Sequence, residues 1–151
     1  MTSIAAHSDP QPVKQFSVFS ENKVGRLNDL VTLFHQESVQ IVALCAIDNT
    51  DSAIVRFVAN YPDEARRVLK ENHFPFNEIE VVAVEMDSAD QISSITSSLT
   101  AAEINVHYTY PFLIRPGHRC GMLLRLEDNE LATEVMNVQG LKVLDQSDIA
   151  R

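Results

Sequence analysis

The chain has 151 residues, of which 45% are hydrophobic and 22% charged, with a formal net charge of −9. That acidic balance excludes the basic footprint a nucleic-acid partner requires and disfavours an anionic membrane surface. No stretch approaches about 18 continuous apolar residues and the N-terminus has no basic region followed by an apolar core, so a cytoplasmic protein is expected.

Residues 1–12 contain Ser, Asp, His and two prolines with almost nothing to bury, and read as a flexible tail. Residues 16–20 form a short apolar-rich strand, followed by the polar turn Glu21-Asn22-Lys23-Val24-Gly25. Leu27, Leu30, Val31 and Phe34 then recur at helical spacing and put one apolar stripe on a helix. Gly25 stands where the chain leaves the strand and enters that helix. There it either permits a tight turn or leaves room for a ligand against helix-start amides, which suit a carboxylate or phosphate.

Residues 39–47 are an unbroken, β-branched apolar run. On strict alternation, Ile41, Ala43, Cys45 and Ile47 share one face and Val42, Leu44 and Ala46 the other. A turn cluster at residues 48–51 and a returning strand at 53–59 make a hairpin. Asn60 is placed to cap the next helix, whose first turn holds Pro62, Asp63 and Glu64 and whose stripe is Ala65, Val68 and Leu69. A further strand runs over residues 76–86. The first half is therefore strand-helix-strand-strand-helix-strand, the order of a ferredoxin-like sandwich.

The second half repeats the first at an offset of 65 residues, as from Phe34 to Leu99. The same offset pairs Leu27 with Ile92, Leu30 with Ile95, and Val39-Gln40-Ile41 with Ile104-Asn105-Val106. It also lays residues 81–86 on the first strand of the second unit, so one long strand, about 77–86, serves both units. Ser88-Ala89-Asp90-Gln91 reads as a capping box. Ile92, Ile95 and Leu99 form the next helix stripe. A strand over 104–114 ends in the turn Arg115-Pro116-Gly117-His118, residues 121–126 return, Asp128 or Asn129 caps a helix stopped by Gly140, and residues 141–144 are the last strand. The expected fold is α+β: two ferredoxin-like βαββαβ units side by side sharing a long strand, residues 13–80 and 81–149. Where the first unit has Gly25, the second has Asp90, so the two turns are not equivalent.

The turn Asn22-Lys23-Val24-Gly25-Arg26-Leu27, followed by a helix and Val39-Gln40-Ile41, resembles the opening of an ACT domain, with Val24 in place of the usual proline. Ile104-Asn105-Val106, with Tyr108 and Tyr110 beyond it, matches in the second unit, and the whole resembles small stand-alone proteins made of two ACT domains. The resemblance implies amino-acid binding at the junction of the units. It would place the ligand against Asn22, Lys23, Val24, Gly25, Arg26 and Leu27, facing Ile104, Asn105 and Val106. A weaker mirror site would use Ser88, Ala89, Asp90, Gln91 and Ile92 with Val39, Gln40 and Ile41. A carboxylate at Asp90 would repel a ligand carboxylate, though it could accept an ammonium group.

Other groupings carry less. Tyr108 and Tyr110 share a strand face with His107 opposite, either as ligand contacts or as a packed aromatic face with wet hydroxyls. His118, Arg119 and Cys120 lack a second histidine at ligand spacing, so neither a metal nor a cofactor is expected. Cys45 and Cys120 read as buried, reduced thiols. No triad, nucleophile elbow, P-loop or paired-carboxylate site is present. The reading is a non-enzymatic amino-acid-binding regulatory protein. The alternative is a regulatory subunit of an amino-acid biosynthetic enzyme such as acetolactate synthase, acting mainly through protein contacts. The two apolar faces of residues 39–47 ask for cover on both sides, and a second copy of the chain, making a homodimer, is the expected cover.

Overall fold

A computed structural model describes residues 10–21, 24–48, 52–114 and 119–150. The first unit runs β1 (Val13–Glu21), α1 (Arg26–Gln36), β2 (Ile41–Asp48), β3 (Ser52–Ala59), α2 (Pro62–Glu71) and β4 (Phe76–Met86). The second reuses the end of β4 and continues through a short 3-10 turn (Ala89–Gln91), α3 (Ile92–Ala101), β5 (Val106–Pro111), β6 (Cys120–Leu126), α4 (Asn129–Val138) and β7 (Lys142–Leu144), and a short helix, α5 (Gln146–Ile149), follows. This is the βαββαβ order twice over, an α+β fold of two ferredoxin-like units built on antiparallel strands.

The two units meet in β4. Residues 76–81 of that strand pair with β1, and residues 82–86 pair with β6. β7 pairs with residues 83–85, and the continuous strand order is β2-β3-β1-β4-β6-β5. No loop separates the units, because the hydrogen-bonded ladder passes from one to the other inside a single strand.

Alternation along the strands sorts side chains into three cores. Phe16, Val18, Val55 and Phe57 pack beneath α1 and α2 with Leu30, Phe34, Val68 and Leu69. Val82, Val84, Leu124 and Leu126 pack beneath α3 and α4 with Ile95, Leu99, Ala132 and Met136. The opposite strand faces meet each other: Val13, Ala43, Val58, Val81, Ala83, Tyr110, Phe112 and Leu123 form an inner layer, closed at one end by Leu144 and Ile149. The roll brings its edge strands together, with Ala43 bridging Phe112 and the Leu113 amide donating to the Val42 carbonyl (2.8 Å).

That layer corrects the argument for a second copy. On the face of β2 that the sequence left uncovered, Val42, Ala43 and Cys45 pack against the second unit of the same chain and only Ile47 at the strand's end stays exposed, so that face gives no ground for a homodimer. The assignment of faces changes as well. A bulge between Ile41 and Ala43 sends Ile41 and Leu44 towards the helices and both Val42 and Ala43 inward. Strict alternation had placed Ile41 with Ala43.

The capping devices also differ from expectation. Asn60 does not cap α2: its side-chain oxygen accepts from the amides of Gln40 and Tyr61, both at 3.0 Å, and Tyr61 is the cap residue. Ser88 makes no capping hydrogen bond; Gln91 Oε1 accepts from the Asp87 amide instead (2.7 Å). Asp128 does cap α4, accepting from the Leu131 amide (3.0 Å). Of the expected tail, Gln11 is tied to the body by the Gln146 amide, which donates to its carbonyl (2.9 Å). Residues 1–9 and the turn at 115–118 lie outside the described residues.

Candidate functional site

β1 ends and α1 begins at Gly25, which has φ 91° and ψ −9°, the left-handed conformation. A side chain there would be strained by the backbone rather than by crowding, since a Cβ at that position would meet nothing within 4 Å. Gly25 offers no side chain to cap the helix; its carbonyl accepts from the Asp29 amide (2.9 Å). The first amides of a helix have no acceptor within it, and the helix dipole favours negative charge at that end. Beside this turn lies a cleft of about 190 Å3 lined by Ser20, Glu21, Arg26, Leu27, Ala46, Ile47, Asp48, Ala53 and Val55. The turn thus borders a space with apolar walls and carboxylates at its rim.

The expected residues distribute unevenly around it. Leu27 is 41% exposed, which leaves it free to wall the cleft, while Leu30 and Phe34 take the buried stripe. The Arg26 guanidinium lies 5.7 Å from the centre of the Phe74 ring and 3.8 Å from the Asp29 carboxylate. Val24 is fully exposed. Asn22 and Lys23 lie outside the described residues. Sequence reasoning missed the β2 wall, Ala46, Ile47 and Asp48. The signal was available in the topology, because β2 returns beside the β1–α1 turn in any ferredoxin-like unit.

Across the junction, Ile104 is buried in the second unit's core, so its side chain is unavailable to a ligand. Asn105 is exposed, and its carbonyl accepts from the Glu127 amide (3.1 Å). Val106 packs against the second core. β2 and the chain around Phe112 run antiparallel, so the cleft end of β2 and the Val106 end of β5 point the same way. No hydrogen bond or ion pair among the described residues joins residues 24–27 to residues 104–106.

The mirror position is built differently. Asp90 sits in the 3-10 turn and has no left-handed backbone, unlike Gly25. Ser88 and Ala89 are exposed, and Gln91 is engaged by the Asp87 amide, with Asp87 itself paired to Arg119 (2.7 Å). Ile92 is 42% exposed, matching Leu27. Val39 is buried, Ile41 faces the first core, and the Gln40 amide is held by Asn60.

The tyrosines are part of the inner layer. Gln15, fully buried, donates from Nε2 to the Tyr108 hydroxyl and accepts from the Tyr110 hydroxyl, both at 2.6 Å. The hydroxyls are therefore satisfied by protein rather than wet. Burial, with smaller contributions from Tyr108 and Cys45, raises the Tyr110 pKa far above its usual value. The stack of Tyr108 on Tyr110 (6.3 Å between centres) continues outward to Arg56, whose guanidinium lies 4.3 Å from the centre of the Tyr108 ring. Cys45 and Cys120 are free and half-buried. Among the described residues no group of three or more His, Cys, Asp or Glu side chains could hold a metal ion, and no helix is long and apolar enough to cross a membrane.

Two βαββαβ units fused through one strand, with a glycine turn at the start of the first helix, define a tandem regulatory-domain architecture. The chain belongs to the ACT domain pair family, which matches residues 11–151. It is similar to the crystal structure of protein BT0572 from Bacteroides thetaiotaomicron, with 28% identity, a TM-score of 0.85, and coverage of 95% of this chain and 99% of that one. More distantly it shares the fold of the regulatory subunit of aspartate kinase from Thermus thermophilus, at 10% identity and a TM-score of 0.55, covering 84% of this chain and 91% of that one. The Thermus flavus subunit is alike, at 10% identity and a TM-score of 0.56, covering 85% and 92%. No curated protein matches the sequence significantly.

Proposed function

We propose that this chain is a non-enzymatic regulatory protein that binds one small amino acid per chain at the turn around Gly25. Membership of the ACT domain pair family supports a regulatory role. The observation that carries the site is the left-handed Gly25 cap with open space beyond it, beside a cleft of about 190 Å3. The ligand carboxylate meets the amides at the start of α1, from Val24 to Leu27, with Asn22 and Lys23 preceding them. The ammonium group turns towards the carboxylate of Asp48 in the cleft rim. Backbone of Asn105 and its neighbours Ile104 and Val106 forms the facing wall from the second unit. The right-handed turn at Asp90 supports a single site, because that turn offers an anion neither a glycine nor a neutral side chain. Binding would stiffen the junction and bias a partner by its difference in affinity between two states.

A thermal-shift screen of the twenty amino acids at millimolar concentration tests this, on wild type and on Gly25→Asp. Ligand at about 100 times its Kd adds roughly 2.7 kcal/mol, a shift of about 5–10 °C for a chain of this length. A shift by one amino acid or a related few, absent in the variant relative to its own unliganded midpoint, is expected. No shift in wild type sinks the amino-acid reading.

A further inference from the structure

Among the described residues six arginines occur, and they divide by their partners. Arg26, Arg66, Arg67 and Arg119 each have a carboxylate within 4.0 Å: Asp29, Asp63 and Glu78, three glutamates led by Glu71, and Glu85 with Asp87. Arg56 and Arg125 have none. In a chain with 21 acidic residues and a net charge of −9, two half-buried guanidiniums without a carboxylate are an exception. Long charged side chains in partly dry surroundings normally take a partner.

Both arginines neighbour Tyr108, and Arg125 has one guanidinium nitrogen donating to the Leu126 carbonyl (3.1 Å). Arg56 stacks over the Tyr108 ring, and Arg125 stands directly across the β5–β6 ladder from it. On β3, Arg56 lies between the positions of Ile54 and the inward-facing Val58; on β6, Arg125 follows the inward-facing Leu123 by two residues. Both therefore share the inner face. Exposure along that layer grows from fully buried Ala83 and Leu123 to half-buried Cys45, Arg56, Tyr108 and Arg125. The place is the open mouth of the roll, at the opposite end from Leu144 and Ile149. Gln15 clamps the Tyr108 hydroxyl behind it, so the ring on which Arg56 rests is fixed.

We infer that Arg56 and Arg125 form an anion site at the mouth of the inner layer, taking a small ligand that carries a carboxylate or phosphate group. Guanidinium forks match such planar or tetrahedral oxyanions with paired hydrogen bonds, and a stacked guanidinium keeps its edge donors free while its face is held. Partial burial reduces screening by salt and lets the two charges act on one ligand. This site is separate from the Gly25 turn, whose cleft lies mainly on the helix side of β2 and β3 and includes neither arginine.

The test is calorimetric titration of the full chain with inorganic phosphate and, separately, with succinate, at constant ionic strength. The chain has no tryptophan and three tyrosines, so tyrosine emission, read in a Tyr61→Phe background, gives a second signal from Tyr108 and Tyr110. Saturable binding of one of the two anions is expected, weakened about tenfold or more in both Arg56→Gln and Arg125→Gln. Arg125→Lys, which keeps the charge and loses the fork, is expected in between, and guards against a folding defect in the glutamine variants. Phosphate and succinate separate the two ligand chemistries. No saturable binding at millimolar concentration overturns the proposal, as does binding that persists in either glutamine variant. Binding lost only in Gly25→Asp would move the anion to the turn and overturn it equally.

Discussion

Ser38 and Glu103 hold the same left-handed backbone, with φ of 59° and 56°, 65 positions apart. Each ends the first helix of its unit, and each lets the next amide reach back: Val39 to the Phe34 carbonyl and Ile104 to that of Leu99, both 2.9 Å. His73 and Gly140, at 59° and 77°, repeat the device after the second helix. The internal duplication is thus written in backbone angles, where side chains have diverged from serine to glutamate and from histidine to glycine. A non-glycine residue in this conformation costs about 1 kcal/mol.

Replacing Ser38 or Glu103 by glycine relieves that strain at sites where the side chain is exposed. We expect each substitution to stabilise the protein by about 0.5 kcal/mol, since glycine's extra freedom in the unfolded chain offsets part of the gain. Thermal unfolding checks this, with a rise of about 1–2 °C in Tm expected and no change in ligand response.

Gly25 and Gly121 are glycines for opposite reasons. At Gly121 a Cβ would lie 2.3 Å from the Phe112 ring, which sits over it where the two units' edge strands meet. Gly121→Ala must push Phe112 out of the inner layer and is expected to cost about 1–3 kcal/mol. Gly25→Ala meets open space but keeps an unfavourable φ, and is expected to cost about 1 kcal/mol. Urea midpoints order the two, and a greater loss at Gly25 contradicts the assignment.

Gln15 joins two hydroxyls inside the inner layer. Gln15→Leu leaves the Tyr108 and Tyr110 hydroxyls without their partner and is expected to cost about 2–4 kcal/mol. Tyr110→Phe removes one bond only, leaving Gln15 Oε1 unpaired, with a loss of about 1–2 kcal/mol. In the double variant Gln15→Leu, Tyr110→Phe the losses should fall short of additive, because the two residues share one interaction. Chemical denaturation of the four proteins gives the coupling directly.

The Arg66 guanidinium holds the Glu78 carboxyl below its ordinary pKa, chiefly through the side-chain hydrogen bond, which outweighs the opposing desolvation, with a lesser contribution from its charge. A depressed folded pKa means the unfolded state binds more protons in that range. The stabilisation is present above about pH 4.3 and is lost as pH falls through the folded value. Arg66→Met should therefore lower stability near neutral pH and flatten the acid limb of the stability curve. Denaturation midpoints between about pH 2 and pH 7 measure it. Asp145, depressed by Ser147 and by backbone amides of its own helix turn, keeps a residual acid dependence in that variant.

Much of the fold was legible because its signals are local. The stripes of Leu30 with Phe34 and of Ile95 with Leu99 declared the helices, and the 65-residue offset placed residues 81–86 at once in both units. The strand found is Phe76–Met86, close to the span read from the repeat. What covers β2 was not legible, because alternation says that a face is buried and nothing about which distant strand buries it. The bulge at Val42, repeated at His107 between Val106 and Tyr108, was equally silent. An extra residue shifts parity without altering composition. At the candidate site, Gly25 showed itself as the lone glycine of a strand-to-helix turn, whereas Asp48 reaches the cleft only through the hairpin that brings β2 back.

β4 has a consequence for how such a chain can be inherited. Two modules joined by a linker can be separated, exchanged or lost one at a time, each keeping its own fold. Here a break between residues 80 and 81 would leave each half its own stretch of β4, but it would cut the one backbone that carries the ladder from unit to unit and part the two walls of the inner layer. The duplicated halves have therefore become a single heritable object. One copy can carry Asp90 where the other has Gly25 and still be retained, because both halves close the same inner layer.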